Sequence, residues 1–419
     1  MIEQSLVLPC GHLLPNRIIK TAMTEGLANA HDHATASHLQ LYRTWAQGGA
    51  AALVTGNIMI DRRYLERAGN VVVEDDTGLY ALINWARAVH EGGSQLWAQI
   101  SHPGRQCPRL VNAHPLAPSE VQLQLAGNFG KPRAATDSDF QDIIRRFANT
   151  AGILKDAGFD GVQIHAAHGY LLSQFLSPRT NQRNDQWGGS LINRASLLLS
   201  VVRAVRERVG ASFPISVKLN SSDFVKGGFT LDECVQVVTW LNEAGVDLLE
   251  VSGGTYEQLA FFQHTPQDQV RDSTRHREAM FLEYAQSIKA VAAMPIMVTG
   301  GFRTKTGMDD ALKAGHTDMI GVARPFCLDP SFPSRMMAGL VDTLPVPESR
   351  LVLGSGYWGP NSKSETMRGL NNFSQAGWYY SQIERMAAGD APNPNLSPLS
   401  ALLGHFWHDF LRVLRRRRR

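Results

Sequence analysis

Eight short runs rich in apolar and β-branched residues recur within residues 1–330, and they alternate with segments in which apolar residues follow a helical period. A strand that alternates with a helix predicts a parallel sheet, because neighbouring parallel strands need a crossover connection. The strand-like runs are 17–23, 50–60, 94–100, 161–165, 214–219, 247–251, 295–298 and 318–322. The helical segments include 37–47, 79–89, 139–155, 191–209, 231–243, 279–292 and 306–313.

Signals for helix ends support this division. Capping residues at 136–139 precede the third helical segment, and Gly158, Gly245 and Gly315 follow the third, fifth and last of the segments given above, where a left-handed residue is expected. Eight strand and helix pairs over about 310 residues predict an α/β fold of the (β/α)8 TIM-barrel type with some insertions. A doubly wound open sheet is the alternative, but its usual GxGxxG turn does not occur in this sequence.

In such a barrel, functional residues collect at the carboxyl ends of the strands. Polar or otherwise special residues do follow each predicted strand, which locates a site without naming its chemistry. They are Met23-Thr24, Gly56-Asn57, Gln99 to Arg105, His165 to Tyr170, Lys218 to Asn220, Ser252 to Tyr256, Gly300 to Arg303 and Ala323-Arg324.

Cysteine spacing and hydropathy exclude several classes of protein. The four cysteines form no CxxC pair, no zinc-knuckle spacing and no iron–sulfur ligand set, so we expect reduced thiols and no metal site. The first residues lack the basic and apolar regions of a secretory leader, and no apolar stretch reaches about 18 residues. We therefore expect a cytoplasmic location.

The positive charge of the chain is local. The sequence has 41 lysine and arginine residues against 38 acidic ones, a formal net charge of +3. Six of these cations, Arg412 and 415–419, fall within 398–419, where Asp409 is the one acidic residue. The rest of the chain has a slightly negative net charge, which makes it a poor candidate for binding nucleic acid.

The stretch from His165 to Tyr170 is the most informative part of the sequence. Two imidazoles three residues apart, at a strand end, can converge on one anionic or carbonyl oxygen. A bare HxxH pair is, however, more often satisfied by nearby backbone. Tyr170 favours the chemical interpretation, because a tyrosine with a pKa of about 10 is protonated at neutral pH and can act as a general acid.

Three stretches carry a family resemblance. They are HAAHGYLLSQFLSPRTNQRNDQWGGSLINR at 165–194, Asn16-Arg17-Ile18, and Gln99 followed by His102-Pro-Gly-Arg105. Together they resemble the old yellow enzyme family of FMN-dependent NAD(P)H:flavin oxidoreductases and ene-reductases, over about residues 5 to 335. The resemblance implies that FMN lies across the barrel mouth.

The resemblance also implies which residues touch the flavin ring. The backbone of Ala22 and Met23 and the side chain of Thr24 would lie beside it. Gly56 would leave room for the ring, and Gln99 would bond its pyrimidine edge.

Charge and phosphate contacts complete the implied cofactor site. Lys218 matches the cation that faces flavin N1 and O2, where an arriving hydride builds negative charge. Taken alone, Lys218 is equally well explained as a barrel lysine paired with a carboxylate. Gly300, Gly301, Ala323 and Arg324 follow the last two strands, where barrels commonly bind a phosphate.

The implied reaction is reduction of an activated C=C bond, with NAD(P)H as the reductant and a small electrophile as the substrate. His165 and His168 would grip the substrate oxygen, and Tyr170 would protonate the α-carbon. Two alternatives stay open: oxidation or demethylation of a small amine on the same scaffold, and a flavin-binding barrel without catalysis.

The chain continues well beyond the barrel, which we assign to residues 1–335. Residues 336–390 are too aromatic for a solvated tail, so we expect a C-terminal extension packed on the barrel. Residues 391–419 comprise a Pro/Asn-rich linker and an amphipathic segment with an arginine block. The apolar face predicted for this segment consists of Leu399, Leu402, Leu403, Phe406, Phe410 and Val413.

Two interpretations of residues 398–419 remain open at this point. The segment can dock on the enzyme as a helix, or it can make weak contact with the surface of an anionic membrane. Whether the protein forms a homo-oligomer is also left open by the sequence.

Overall fold

A computed structural model describes residues 1–124, 127–253 and 284–417. Eight strands, all paired in parallel, form a closed barrel in which each strand neighbours the next along the chain and β8 pairs with β1. The TIM-barrel prediction is therefore confirmed. The strands are β1 (Ile18–Lys20), β2 (Ala52–Met59), β3 (Gln95–Ser101), β4 (Gly161–Ala166), β5 (Ile215–Asn220), β6 (Leu248–Ser252), β7 (Ile296–Thr299) and β8 (Met319–Val322).

Helices flank the barrel and continue beyond it. They are α1 (Ala36–Ala46), α2 (Leu79–Glu91), α3 (Asp137–Asp156), α4 (Leu171–Leu176), α5 (Leu191–Val209), α6 (Leu231–Glu243), α7 (Lys305–Lys313), α8 (Phe332–Met337), α9 (Glu365–Ala387) and α10 (Pro398–Arg417). The helix predicted at 279–292 lies partly outside the described residues. Gly158, Gly245 and Gly315 have positive φ angles of 87°, 79° and 69°, as expected for residues that end helices.

The two-residue period of the strands divides their side chains between two cores. Residues such as Ile100, Ile164 and Val217 point outward and pack against the surrounding helices. Alternate residues such as Trp97 and Met297 point inward and fill the amino-terminal end of the barrel. This end is an apolar core, so a polar site is left to the carboxyl ends of the strands.

A short hairpin closes the amino-terminal end. Its strands, Leu6–Val7 and Leu13–Leu14, pair antiparallel. The buried side chains of Leu8 and Leu14 join the inner core beside Trp97. The barrel is therefore open to ligands at its opposite end.

The residues after the barrel fold against it. Helix α9 lies against α1 and against the turn at Arg324–Cys327. Trp378 of α9 is fully buried, and its indole Nε1 donates a hydrogen bond to the Leu396 carbonyl at 2.9 Å. The extension thus shares a core with the barrel, while the boundaries at 335 and 390 remain predictions.

Helix α10 docks on α9 by a narrower surface than the sequence indicated. Ala401 and Leu402 are buried, whereas Leu399, Leu403 and Phe406 are exposed. The predicted apolar face is therefore docked only in part, through Leu402, and the contact with α9 also includes Ala401 beside Gly377 and the stacked rings of His405 and Tyr380. The side chains of Phe410 and Val413 lie outside the described residues. Among the described helices, none is both long and apolar enough to cross a bilayer.

We expect Trp378→Ala to lower the free energy of unfolding by about 3 to 5 kcal/mol, because it leaves a cavity in the core shared by α9 and the barrel. Trp358→Ala is the matched control, since Trp358 is 59% exposed. Urea unfolding followed by circular dichroism measures both. Equal stability of the two variants would show that the extension does not contribute to the folded core.

Candidate active site

A row of buried polar side chains crosses the barrel interior above the apolar core. Gln99 on β3 donates to Gln163 on β4 at 2.6 Å, and Gln163 donates to Glu250 on β6 at 2.8 Å. The other oxygen of Glu250 accepts from Lys218 on β5 at 2.8 Å and from Thr299 on β7 at 2.7 Å. The row joins five strands. Each of these side chains points into the barrel because alternate residues of a strand face the same side.

Lys218 is therefore paired with a carboxylate, as the alternative interpretation of the sequence expected. Its side chain is 6% exposed and that of Glu250 is fully buried. A buried cation needs such a partner, because its desolvation is otherwise too costly. The pairing holds the ammonium group at the carboxyl end of β5, so it does not exclude a role toward a ligand there.

His165, His168 and Tyr170 form one cluster at the end of β4. The His165 ring lies 5.2 Å from the His168 ring and 4.7 Å from the Tyr170 ring, with edge-to-face geometry in both pairs. His165 Nδ1 accepts a hydrogen bond from the Ala167 N–H at 3.2 Å. In a neutral imidazole this bond places the proton on Nε2, which leaves His165 as a donor.

His168 is held by a different partner. Its Nε2 lies 2.7 Å from the Ser252 hydroxyl at the end of β6, and its backbone N–H donates to Asn220. His168 also has a positive φ of 60°, which is uncommon for a residue with a side chain. A substrate oxygen that binds His168 Nε2 would therefore have to displace the Ser252 hydroxyl.

Both imidazoles are neutral at physiological pH. Burial lowers the pKa of His165 well below its ordinary value, and the nearby His168 and Lys218 lower it further. Burial and then Lys218 lower the pKa of His168 in the same direction. The pair can thus polarise an oxygen by hydrogen bonds without adding a full positive charge.

The loop after β1 carries Ala22, Met23 and Thr24, and buried charges hold it in place. Glu25, fully buried, accepts hydrogen bonds from the Tyr42 hydroxyl and from the Gly56 N–H, the latter at 2.8 Å. Burial raises the pKa of Glu25.

Lys20, at the end of β1, supports the same loop from within the barrel wall. Its Nζ donates to the Val54 carbonyl at 2.8 Å and lies 4.3 Å from the Trp45 ring centroid. Burial lowers the pKa of Lys20 to about 8, although Glu25 opposes this effect.

Gly56 is required by the chain itself. A Cβ added there would lie 2.3 Å from Glu25 Oε2 and 2.7 Å from the Met23 carbonyl oxygen. The space in front of Gly56 is thus filled by the loop after β1, which is a different reason from the room for a flavin ring that the resemblance implied.

Glu66 brings Thr24 and Asn57 together at the barrel mouth. The Thr24 hydroxyl donates to Glu66 Oε2 at 2.9 Å, and Asn57 Nδ2 donates to the same oxygen at 2.6 Å. Thr24 is therefore oriented by a carboxylate from the loop after β2.

The ends of β7 and β8 carry two glycines, and two arginines there bind one carboxylate. Gly300 and Gly301 have φ angles of 120° and 79°, a conformation that residues with a side chain rarely adopt. Arg324, which follows Ala323, lies 2.9 Å from Glu348 of the extension. Arg303 lies 3.1 Å from the same carboxylate. The extension therefore reaches the region where the sequence predicted a phosphate site.

The structure thus brings the predicted residues to one end of the barrel and adds partners that the sequence analysis missed. Glu250 and Gln163 could have been found as polar residues at inward positions of otherwise apolar strands. Glu66 and Glu348 gave no local signal, since neither lies at a strand end and they are far along the chain from Thr24 and from Arg303 and Arg324, respectively. The additional residues are Lys20, Glu25, Glu66, Gln163, Glu250 and Glu348.

The family profile described as NADH:flavin oxidoreductase / NADH oxidase matches residues 11–343. The chain belongs to this family. It is an FMN-dependent oxidoreductase with NAD(P)H as the reductant.

Two fungal relatives illustrate the similarity. The NADH-dependent flavin oxidoreductase iliE of Hypocrea jecorina is 35% identical over 79% of this chain and 88% of its own length. The NADH-dependent flavin oxidoreductase nadA of Aspergillus parasiticus is 38% identical over 80% of this chain and 77% of its own. Among solved structures, the old yellow enzyme homologue of Zymomonas mobilis has a TM-score of 0.69 at 23% identity, over 83% of this chain and 95% of its own.

The residues at the barrel mouth fit an FMN. Asn57 Oδ1 and Ser101 Oγ, at the ends of β2 and β3, are buried and have no hydrogen-bond partner among the described residues. A polar ligand at the mouth would satisfy such atoms. Among the described residues, no atom lies within 4 Å of a Cβ added at the exposed Gly300, so a phosphate could approach its backbone there.

Buried histidines near the site make the stability of the protein depend on pH. Burial lowers the pKa of His102 to about 4, below its value in the unfolded chain. Between about pH 6.5 and 4 the unfolded state binds the extra proton, so the free energy of unfolding falls as the pH falls. We expect His102→Gln to flatten this dependence by up to about 1.4 kcal/mol per pH unit.

Urea titrations at pH 7.5, 6.0 and 5.0 measure this slope. The exposed residue His31 supplies the control variant, His31→Gln, for which the slope of the parent protein is expected. A slope in His102→Gln as steep as in the control would contradict the assignment of a neutral, buried His102.

Proposed function

We propose that this oxidoreductase reduces activated C=C bonds, such as those of enones and nitroalkenes. The observation that carries the proposal is the cluster at the end of β4, where a neutral donor, His165, lies edge to face with the phenol of Tyr170. A hydrogen-bond donor beside a general acid suits a substrate whose oxygen is polarised while a carbon is protonated. The neighbouring His168 would share the oxygen.

Each chain residue has a definite task in this reaction. His165 Nε2–H donates to the carbonyl or nitro oxygen, which draws electron density from the β-carbon. Tyr170 delivers its phenolic proton to the α-carbon, and its 2% exposure keeps bulk water from that step. The low pKa of His165, caused by burial, keeps the imidazole neutral, so it acts as a donor without being a competing acid.

The chemistry that bound FMN supplies is hydride transfer from the nicotinamide to the substrate. Ala22, Met23, Thr24, Gly56 and Gln99 would hold the flavin ring, and Lys218 would place its charge beside it. Gly300, Gly301, Ala323 and Arg324 would hold the phosphate. We propose NADH as the physiological reductant, because the fungal relatives are named NADH-dependent.

One relative supports a C=C substrate. The cinnamate reductase of Clostridium sporogenes is 28% identical over 78% of this chain and 51% of its own length. A screen of enones, nitroalkenes and amines against the NADH-reduced, FMN-loaded enzyme separates the candidates. Reoxidation by amines alone, or by none of these compounds, would overturn the proposed substrate class.

We expect Tyr170→Phe to slow reoxidation of the reduced enzyme by an enone by about 10²- to 10⁴-fold, since the general acid is lost. Reduction of the enzyme by NADH should stay within about twofold, because that half-reaction needs no proton from the phenol. Stopped-flow absorbance of the flavin measures both. Tyr64→Phe, at a buried tyrosine beside His102, is the control. Equal losses in the two half-reactions would contradict the proton-donor role.

We expect His165→Ala to weaken binding of a para-substituted phenol by about tenfold or more, since a hydrogen bond to the phenolate oxygen is lost. Titration of the long-wavelength absorbance band that a phenolate produces with bound flavin measures this affinity. His90→Ala, on the exposed side of α2, is the control. An unchanged band and affinity in His165→Ala would remove His165 from the oxygen-binding site.

A further inference from the structure

The outer face of α10 is an exposed apolar surface on the C-terminal extension. Leu399 is 55% exposed, Leu403 is 63% exposed, and Phe406 and Trp407 are 47% and 59% exposed. The first three are spaced by four and three residues, so they lie along one side of the helix. Four large apolar side chains at this exposure form a patch of the kind that marks an interaction site.

The exposed face is not a sign of a loosely attached helix, because the opposite face is fixed. Glu384 of α9 binds His408 and Arg412 of α10 at 2.8 and 2.7 Å. The two helices approach closely at Gly377, where an added Cβ would lie 3.0 Å from the Ala401 carbonyl oxygen. The outer face is therefore held outward by ion pairs and close packing behind it.

An exposed aromatic ring on α9 enlarges the surface. Phe373 is 46% exposed, and its ring centroid lies 6.0 Å from that of Phe406. The surface therefore spans two helices and is presented by a rigid hairpin. We refer to Phe373, Leu399, Leu403, Phe406 and Trp407 as the apolar ridge.

Charge determines which partner suits the apolar ridge. Arg415 to Arg419 follow it directly in the sequence, and they form an uninterrupted run of cations. A second copy of this chain would bring the same five cations to a symmetric contact, which like charges oppose. A surface of anionic lipid headgroups instead attracts each arginine, while its acyl region accepts the leucine and aromatic side chains.

We propose that the apolar ridge binds the surface of an anionic bilayer, and that the positive charge of Arg415 to Arg419, known from the sequence, favours anionic lipid. The helix lies in the plane of the headgroups, because no described helix is apolar enough to cross the membrane. Trp407 suits this depth, since tryptophan favours the boundary between lipid and water. The docking of α10 on α9 then attaches the barrel to the membrane.

Cosedimentation of the FMN-loaded, full-length protein with lipid vesicles tests the proposal. Vesicles of phosphatidylcholine with one quarter phosphatidylglycerol are compared with vesicles of phosphatidylcholine alone. We expect binding to the anionic vesicles that is at least about tenfold stronger and that weakens when salt rises from 0.1 to 0.5 M.

Two variants separate the apolar and the charged contributions. Phe406→Ser with Trp407→Ser removes exposed apolar area, and replacement of Arg415 to Arg419 by glutamine removes charge. Each should lower the affinity for anionic vesicles at least about tenfold. Tyr80→Ser is the matched control, because Tyr80 is a 78% exposed aromatic residue on α2. Unchanged thermal unfolding and flavin content show that the variants are folded.

Three outcomes would overturn the proposal. If the parent protein and both variants bind anionic vesicles equally, the ridge has no role in membrane binding. Equally weak binding of the parent protein to both kinds of vesicle would remove the lipid as the partner. A dimer in sedimentation velocity that dissociates in the Phe406→Ser, Trp407→Ser variant would assign the ridge to a second copy of the chain.

Discussion

The row of buried polar groups that runs from Gln99 to Lys218 is the constraint on which the candidate site depends. A charged pair inside a barrel is costly to desolvate, and it is tolerated only when each oxygen and nitrogen has a partner. Gln163 and Thr299 supply those partners to Glu250. The row therefore fixes the strands relative to one another at the height where the apolar core ends and the polar mouth begins.

A second buried carboxylate performs a similar task at the rim. Glu25 ties the loop after β1 to Gly56 on β2 and to Tyr42 on α1. The loop residues expected to lie beside the flavin are thus positioned by a buried carboxylate. Flexible surface loops would not hold a hydrogen-bonding group to the same position, so the cost of burial is offset by a defined geometry.

The sequence predicted the eight strands and the end of the barrel that bears the site, because both follow from local periodicity. Helix α5 was placed at the observed residues 191–209. Glu66, Glu348 and Ser252 were not found as partners, since no local pattern pairs residues in separate loops. The docked face of α10 was also missed. The spacing of apolar residues identifies the most apolar side of a helix. The side of α10 that meets α9 instead carries small residues and groups that bind Glu384.

Glu348 gives the extension a thermodynamic role. This one carboxylate pairs with both Arg303 and Arg324, and it belongs to a segment that the family profile does not include. If Arg324 holds the cofactor phosphate, as proposed, the phosphate and Glu348 share the same cations. Cofactor binding and docking of the extension are then linked, so docking changes the free energy of cofactor binding by the same amount as cofactor binding changes the free energy of docking.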